Sequence, residues 1–190
     1  MTTTEIDPRT VYAGALDWAA TVVGGVREDQ RGLPTPCPEF DVDGLTRHLV
    51  GTVHKIALIG AGTQDPQALP ATIGPDEDPL AELAAAREDM EGIWAAADVL
   101  EREVAAPWGR TPGRLALWGY VNELLVHTWD VAVSTGQHAE GPAEGSELAL
   151  AIATTLVPAE REGFPFAPPV APAVDAGPTE RLANWSGHSR

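Results

Sequence analysis

Glu123 and His127 stand four residues apart in the run NELLVHTWD. On a helix that spacing projects both side chains from one face, about 6 Å apart at Cβ. A carboxylate and an imidazole so placed can bind one metal ion, or simply hydrogen-bond to each other. The surrounding stretch, LALWGYVNELLVHTWDVAV at 115–133, is apolar nearly all round and reads as a buried helix. Its only carboxylates are Glu123 and Asp130, and its only histidine is His127. Burying an unpaired carboxylate costs roughly 2–7 kcal/mol or more, so Glu123 demands a partner. A divalent cation would satisfy Glu123 and His127 at once.

His48 is the third candidate, beside Leu45 and Leu49 on the apolar stripe of an earlier helix. Alone, a histidine on a core stripe reads as packed and hydrogen-bonded. With a buried Glu/His pair on another helix, it becomes a candidate ligand, because bundle metal sites draw inward-facing ligands from separate helices. Three protein ligands leave a position open, the arrangement of a catalytic site. Zinc there lowers the pKa of water to about 7, or holds a thiol deprotonated. Two histidines and a carboxylate also match the iron facial triad, so these residues alone leave iron, nickel and manganese open.

Other reactive side chains are weaker candidates. Asp130, three after His127, could accept the second ring N–H of His48 or His127, or lie on the helix surface. Trp118 and Trp129 read as core that could line a pocket. Cys37 has no flanking base to lower its pKa, although its proline-held loop leads toward His48. His54 lies about 120° round the helix from His48 and should not share its ion. His138 and His188, in polar or terminal segments, read as surface residues. The run Asp76-Glu77-Asp78 reads as a solvated loop and cap.

The elements that must position these groups are helices. Asp7-Pro8 gives an N-cap acceptor and a proline at the first helical position. Val11, Ala15, Leu16, Ala19 and Val22 or Val23 follow at helical spacing, to an expected end near residue 28. Residues 29–40 form a connector, held extended by Pro34, Pro36 and Pro38. Asp41 or Asp43 caps a second helix with the stripe Leu45, Leu49, Thr52, Ile56 and Ile59, closed by Gly60 and Gly62. A Pro/Gly/Asp-rich loop spans 61–78. Asp78-Pro79 opens a third helix expected to run about six turns, to Leu100. Pro107 to Gly113 read as a loop, 112–135 as the fourth helix with Gly136 as its C-cap, and 143–157 as a fifth. From Gly163 five prolines predict an extended tail, with a short helix at ERLANW. No stretch alternates like a strand. The expectation is an all-α up-down bundle over 1–160, with a proline-rich tail over 161–190.

Composition limits the function classes. The chain has 190 residues and a formal net charge of −16, with 28 acids against 12 bases. That balance argues against nucleic acid or an anionic membrane as the main partner. No apolar run could span a bilayer, and MTTTEIDPR lacks the features of a secretory signal. The single cysteine excludes an internal disulfide and suits a reducing cytoplasm.

Two segments carry a resemblance to a known family. PTPCPEFDVDGLTRHLVG (34–51) and NELLVHTWDVAVSTGQ (122–137) resemble the signature regions of the DinB-like superfamily. The similar branch is the one around mycothiol-dependent maleylpyruvate isomerase and its small actinobacterial relatives. The matching positions are His48-Leu49, Glu123 to His127, Trp129-Asp130 and Gly136-Gln137. The resemblance covers most of the chain. It implies a four-helix bundle with an extra C-terminal helix and tail, holding a divalent metal, usually zinc, on His48, Glu123 and His127. The family link also implies mycothiol or another small thiol as cosubstrate. The isomerase has a further C-terminal domain that contributes to its active site, whereas only a short tail follows the fifth helix here. Isomerisation of maleylpyruvate itself is therefore not implied. The expected function is a cytoplasmic, metal- and thiol-dependent transferase or isomerase acting on a small electrophile, as a monomer or homodimer. The alternatives are a zinc-hydroxide hydrolase and a non-catalytic metal-binding or stress-associated protein.

Overall fold

Three aspartates start three of the helices. In the computed structural model, which describes residues 6–162 and 166–190, Asp7 accepts the Arg9 amide at 2.9 Å and opens α1 (Pro8–Gly24). Asp41 accepts the Gly44 amide at 2.8 Å and opens α2 (Val42–Ala61). Asp78 accepts the Ala81 amide at 2.8 Å and opens α3 (Pro79–Trp94). Each bond satisfies an amide that the first helical turn leaves without a partner. Next come β1 (Glu103–Ala106), β2 (Gly109–Pro112), α4 (Gly113–Thr135), α5 (Ala143–Leu156) and α6 (Pro178–Trp185). Gly136 ends α4 with φ 68°, a left-handed conformation that a side chain would strain.

Helices α1 to α4 form the bundle: α2 packs on α3 and α4, and α1 packs on α4 and α3. The α5–α6 pair packs against α4. The core contains Tyr12 and Leu16 of α1, Leu49 and Ile56 of α2, Trp94 of α3, and Leu117 and Leu124 of α4. The fold is mostly helical, with one small sheet. Among the described residues, no helix is long and apolar enough to cross a membrane.

Several boundaries differ from expectation. Helix α1 ends at Gly24, and Glu28–Gln30 form a separate 3-10 turn. Helix α3 stops at Trp94, although Val99 and Leu100 remain buried. The carbonyls of Leu100 and Arg102 accept the Arg114 and Gly113 amides at 2.8 and 2.9 Å, so they serve the start of α4 instead of a longer α3. The stretch around Pro107 is the turn of an antiparallel hairpin, with Val104 opposite Thr111 and Ala106 opposite Gly109. Strands of four residues are too short to show an alternating pattern in the sequence. Of the proline-rich tail, residues 163–165 lie outside the described residues, as do residues 1–5 of the N-terminal segment.

Candidate metal centre

His48 is oriented from both sides. Its ring stacks on Phe40, with centroids 5.0 Å apart and planes 18° apart. Its Nδ1 lies 2.8 Å from the Ala71 carbonyl oxygen. A carbonyl only accepts, so Nδ1 donates to it, and the ring turns Nε2 toward Glu123. The loop carrying Ala71 is tied to α2 by Arg47, which donates to the Gly74 carbonyl and whose own carbonyl accepts the Ile73 amide. Gly51 allows this contact: a Cβ there would sit 2.7 Å from the Ala71 carbonyl carbon and oxygen.

Helix α4 supplies the other two groups. Glu123 Oε1 lies 3.1 Å from His48 Nε2 and 3.4 Å from His127 Nε2. The two histidine rings meet nearly at right angles, with centroids 5.3 Å apart. His127 Nδ1 lies 3.0 Å from Asp130 Oδ2, so this ring also donates through Nδ1 and turns Nε2 inward. One ligand atom from each of His48, Glu123 and His127 lies within 4.8 Å of the others. Two imidazole lone pairs and a carboxylate oxygen cannot converge without a cation among them. A proton on His127 or a divalent ion meets that need, and the donor set fits zinc with positions left open.

Charge follows geometry here. Burial pushes the Glu123 carboxyl up, but the His127 charge and hydrogen bonds from both histidines outweigh it and hold it well below the carboxylate range. Burial pushes His127 down, and the Glu123 and Asp130 carboxylates reverse this, raising it well above the usual imidazole value. Burial raises Tyr120 too, and the Glu123 charge adds to the effect, so the phenol keeps its proton. The Tyr12 hydroxyl is buried without a hydrogen-bond partner among the described residues, and Tyr120 and Glu123 both act on it electrostatically.

Other sequence candidates take varied places. Asp130 is fully buried and holds His127, so it is not on the helix surface. Trp129 is fully buried core, whereas Trp118 packs in the core and also reaches a cavity. Cys37 is buried among Val42, Leu45 and Val131, and burial raises its thiol, so it is no ready nucleophile. His54 turns away to Glu82 at 3.4 Å. His138 is exposed. His188 departs from expectation: it is no free surface residue but sets Nδ1 at 3.0 and 2.9 Å from the two Asp130 oxygens. Its side chain is 18% exposed. No local pattern marks it, because the contact depends on α6 returning the chain to α4.

A cavity of about 660 Å³ opens beside the centre. His48 and Glu123 form part of its wall, with Thr52, Trp108, Trp118 and Tyr120 around them. His48 and Glu123 therefore face a compartment in which a small molecule can reach them.

Comparison with known proteins agrees with this architecture. Two uncharacterised proteins from strains of Mycobacterium tuberculosis are each 31% identical over 186 residues, covering 97% of this chain and 99% of theirs. Among solved structures, a DinB-like protein from Bacillus subtilis superposes with a TM-score of 0.57 at 16% identity, covering 72% of this chain and 96% of that one. The mycothiol-dependent maleylpyruvate isomerase superposes at 0.61 with 15% identity, covering 84% of this chain and 72% of that one. At these identities the structural matches establish a DinB-like fold. The sequence also matches the family described as the mycothiol maleylpyruvate isomerase N-terminal domain over residues 13–132, and the chain belongs to that family.

Proposed function

We propose that this protein is a metal- and thiol-dependent enzyme, a transferase or isomerase acting on a small electrophile in the cytoplasm. In this reading zinc is held by His48 Nε2, His127 Nε2 and a Glu123 oxygen, and the thiol is mycothiol or a close analogue. The observation that carries it is the convergence of those three atoms while both Nδ1 atoms are engaged elsewhere. That pattern supports lone pairs aimed at a cation, next to a cavity large enough for a substrate.

A bound divalent ion supplies a position where a thiol loses its proton at neutral pH. The chain's own residues do the rest. Ala71 and Asp130 fix the ring orientations of His48 and His127. The apolar wall around Trp118 excludes water from the nucleophile. Tyr120, held protonated, can donate to an oxygen on which negative charge builds. In the chemical step the sulfur lone pair forms a C–S bond to the electrophile, and the displaced π pair moves to the adjacent acceptor atom. The thiol's proton ends on that acceptor. Retention of the adduct makes the protein a transferase. Rotation about the former double bond, then return of the π pair with loss of the acceptor's proton to the departing sulfur, makes it an isomerase.

Cobalt substitution tests this reading. Titrating the cobalt-loaded protein with mycothiol should produce a sulfur-to-cobalt charge-transfer band, absent in His48→Ala. Tight cobalt binding with no spectral response to any thiol would favour a non-catalytic metal-binding role.

A further inference from the structure

The cavity beside the candidate metal centre holds one charge that nothing among the described residues neutralises. Its wall is mainly apolar; besides the protonated phenol of Tyr120, its titratable members among the described residues are His48, Glu123 and Lys55. Glu123 is matched by His48 and His127. Lys55 has no hydrogen bond or ion pair among the described residues. It is also the only lysine of a chain with 28 acids and a net charge of −16. Arginines elsewhere take up carboxylates, as in Arg9–Asp7, Arg47–Asp43 and Arg87–Asp17. An ammonium left free among so many acids stands out.

Its position is set by the helix. His48, Thr52 and Lys55 follow at i, i+4 and i+7 on α2, and all three line the cavity. Seven residues of helix place Lys55 about 10 Å along the axis from His48. The cavity thus has a metal-facing end and a cationic end. At its edge three large apolar side chains remain open to solvent: Trp108 at 58%, Leu156 at 47% and Leu115 at 38% exposure. Apolar side chains clustered at the rim of a cavity mark a surface that a ligand covers.

We infer that the cavity takes an amphiphilic monoanion: an aryl or alkyl carboxylate whose acid group meets Lys55 and whose apolar body lies between Trp108, Trp118 and Leu156. This rests on the reading that the electrophile occupies the cavity, and it places the reactive carbon at the His48 and Glu123 end. A short polar diacid would match neither the single cation nor the apolar walls. Lys55 acts here as a specificity residue, distant from the bond-making atoms.

Two compounds of one shape and different charge test it: phenylbutyrate and phenylbutyramide, titrated into the full-length zinc-loaded protein. Calorimetry and the quenching of tryptophan fluorescence report binding. The carboxylate should bind about tenfold more tightly than the amide, as expected for a charge-assisted contact in an apolar wall. Lys55→Met keeps the aliphatic stem and should erase the preference, while Lys55→Arg should retain it. Equal affinities in the native protein, a preference that survives Lys55→Met, or no saturable binding of either compound would overturn the inference. Metal-free Glu123→Gln separates the two readings. If it still prefers the anion while the cobalt-thiol test fails, the Lys55 site stands and the proposed function falls.

Discussion

His188 and Asp130 are joined across 58 residues of chain, with the imidazole Nδ1 3.0 and 2.9 Å from the two carboxylate oxygens. The same carboxylate accepts His127 Nδ1–H at 3.0 Å. A fully buried aspartate thus takes two imidazole donors, one from its own helix and one delivered by the segment after α6. It holds the His127 ring in one orientation, with Nδ1 toward the carboxylate.

Replacing Asp130 should therefore act on the metal. Asp130→Asn leaves the shape intact but weakens the acceptor, and zinc affinity should fall by about 10–100-fold. His188→Ala should fall near the lower end of that range, because His127 keeps its bond. Competition against a chromophoric chelator measures both. Unchanged affinity in both variants would mean that Asp130 does not orient a ligand.

Gly51→Ala offers a test that alters none of the candidate ligands directly. A methyl there meets the Ala71 carbonyl at 2.7 Å, and backbone cannot move aside as a flexible side chain can. Overpacking of this kind costs about 1–3 kcal/mol. Ala71 also accepts the His48 Nδ1–H, so zinc affinity should drop with stability. Gly92→Ala, with open space around it, should change neither. Thermal melts and zinc titration of both variants decide the matter.

The sign of the pH dependence follows from the two opposed shifts. His127 is raised above its ordinary 6.5, so in metal-free protein its contribution is complete below 6.5 and is lost as pH climbs through the raised value. Glu123 is depressed below its ordinary 4.5, so its contribution is complete above 4.5 and is lost as pH falls through the lowered value. The metal-free protein should be most stable between those two ordinary values. A metal must displace the His127 proton, so affinity should rise with pH beyond 6.5, and uptake at pH 7 should release about one proton. Calorimetry in buffers of different ionisation enthalpy counts that proton.

Chelation should leave the helices intact. The core of α1 to α4 is built from apolar side chains such as Leu16, Ile56, Trp94 and Leu124, independent of any ion. Binding then adds only its linkage term, about 2.7 kcal/mol when the metal stands at 100 times its Kd. The expected result is a melting point lower by roughly 5–10 °C in a chain of this size, with unchanged far-ultraviolet dichroism. Loss of helix on adding chelator would mark a structural site.

How far the sequence could be read depended on whether a signal was local. Asp7-Pro8, Asp41 and Asp78-Pro79 announce three helix starts because a cap acts within three residues of itself. Glu123 and His127 share a helix face by spacing alone, and Asp130 follows one turn later. His188 is invisible to such reasoning, since its partner lies 58 residues away and nothing near it repeats or alternates. The role of Gly51 is hidden for the same reason: a glycine inside a helix acquires meaning only when another backbone is seen against it. The end of α3 is hidden because Val99 and Leu100 keep apolar spacing while the Leu100 and Arg102 carbonyls bond forward to the start of α4.

The separation of the candidate ligands has a consequence for how the protein matures. Glu123 and His127 are neighbours on α4 and can meet as soon as that helix forms, on the sub-microsecond scale of helix growth. His48 lies 75 residues from Glu123 and joins only when α2 docks on α4, a long-range closure that topology makes slow. His188 leaves the ribosome after all of them. During synthesis the chain therefore presents first a two-toothed grip, then a three-toothed one, and only afterwards the brace on Asp130. A metal captured early would be held loosely and exchange freely. Secure retention of a metal would be the last property the growing chain acquires.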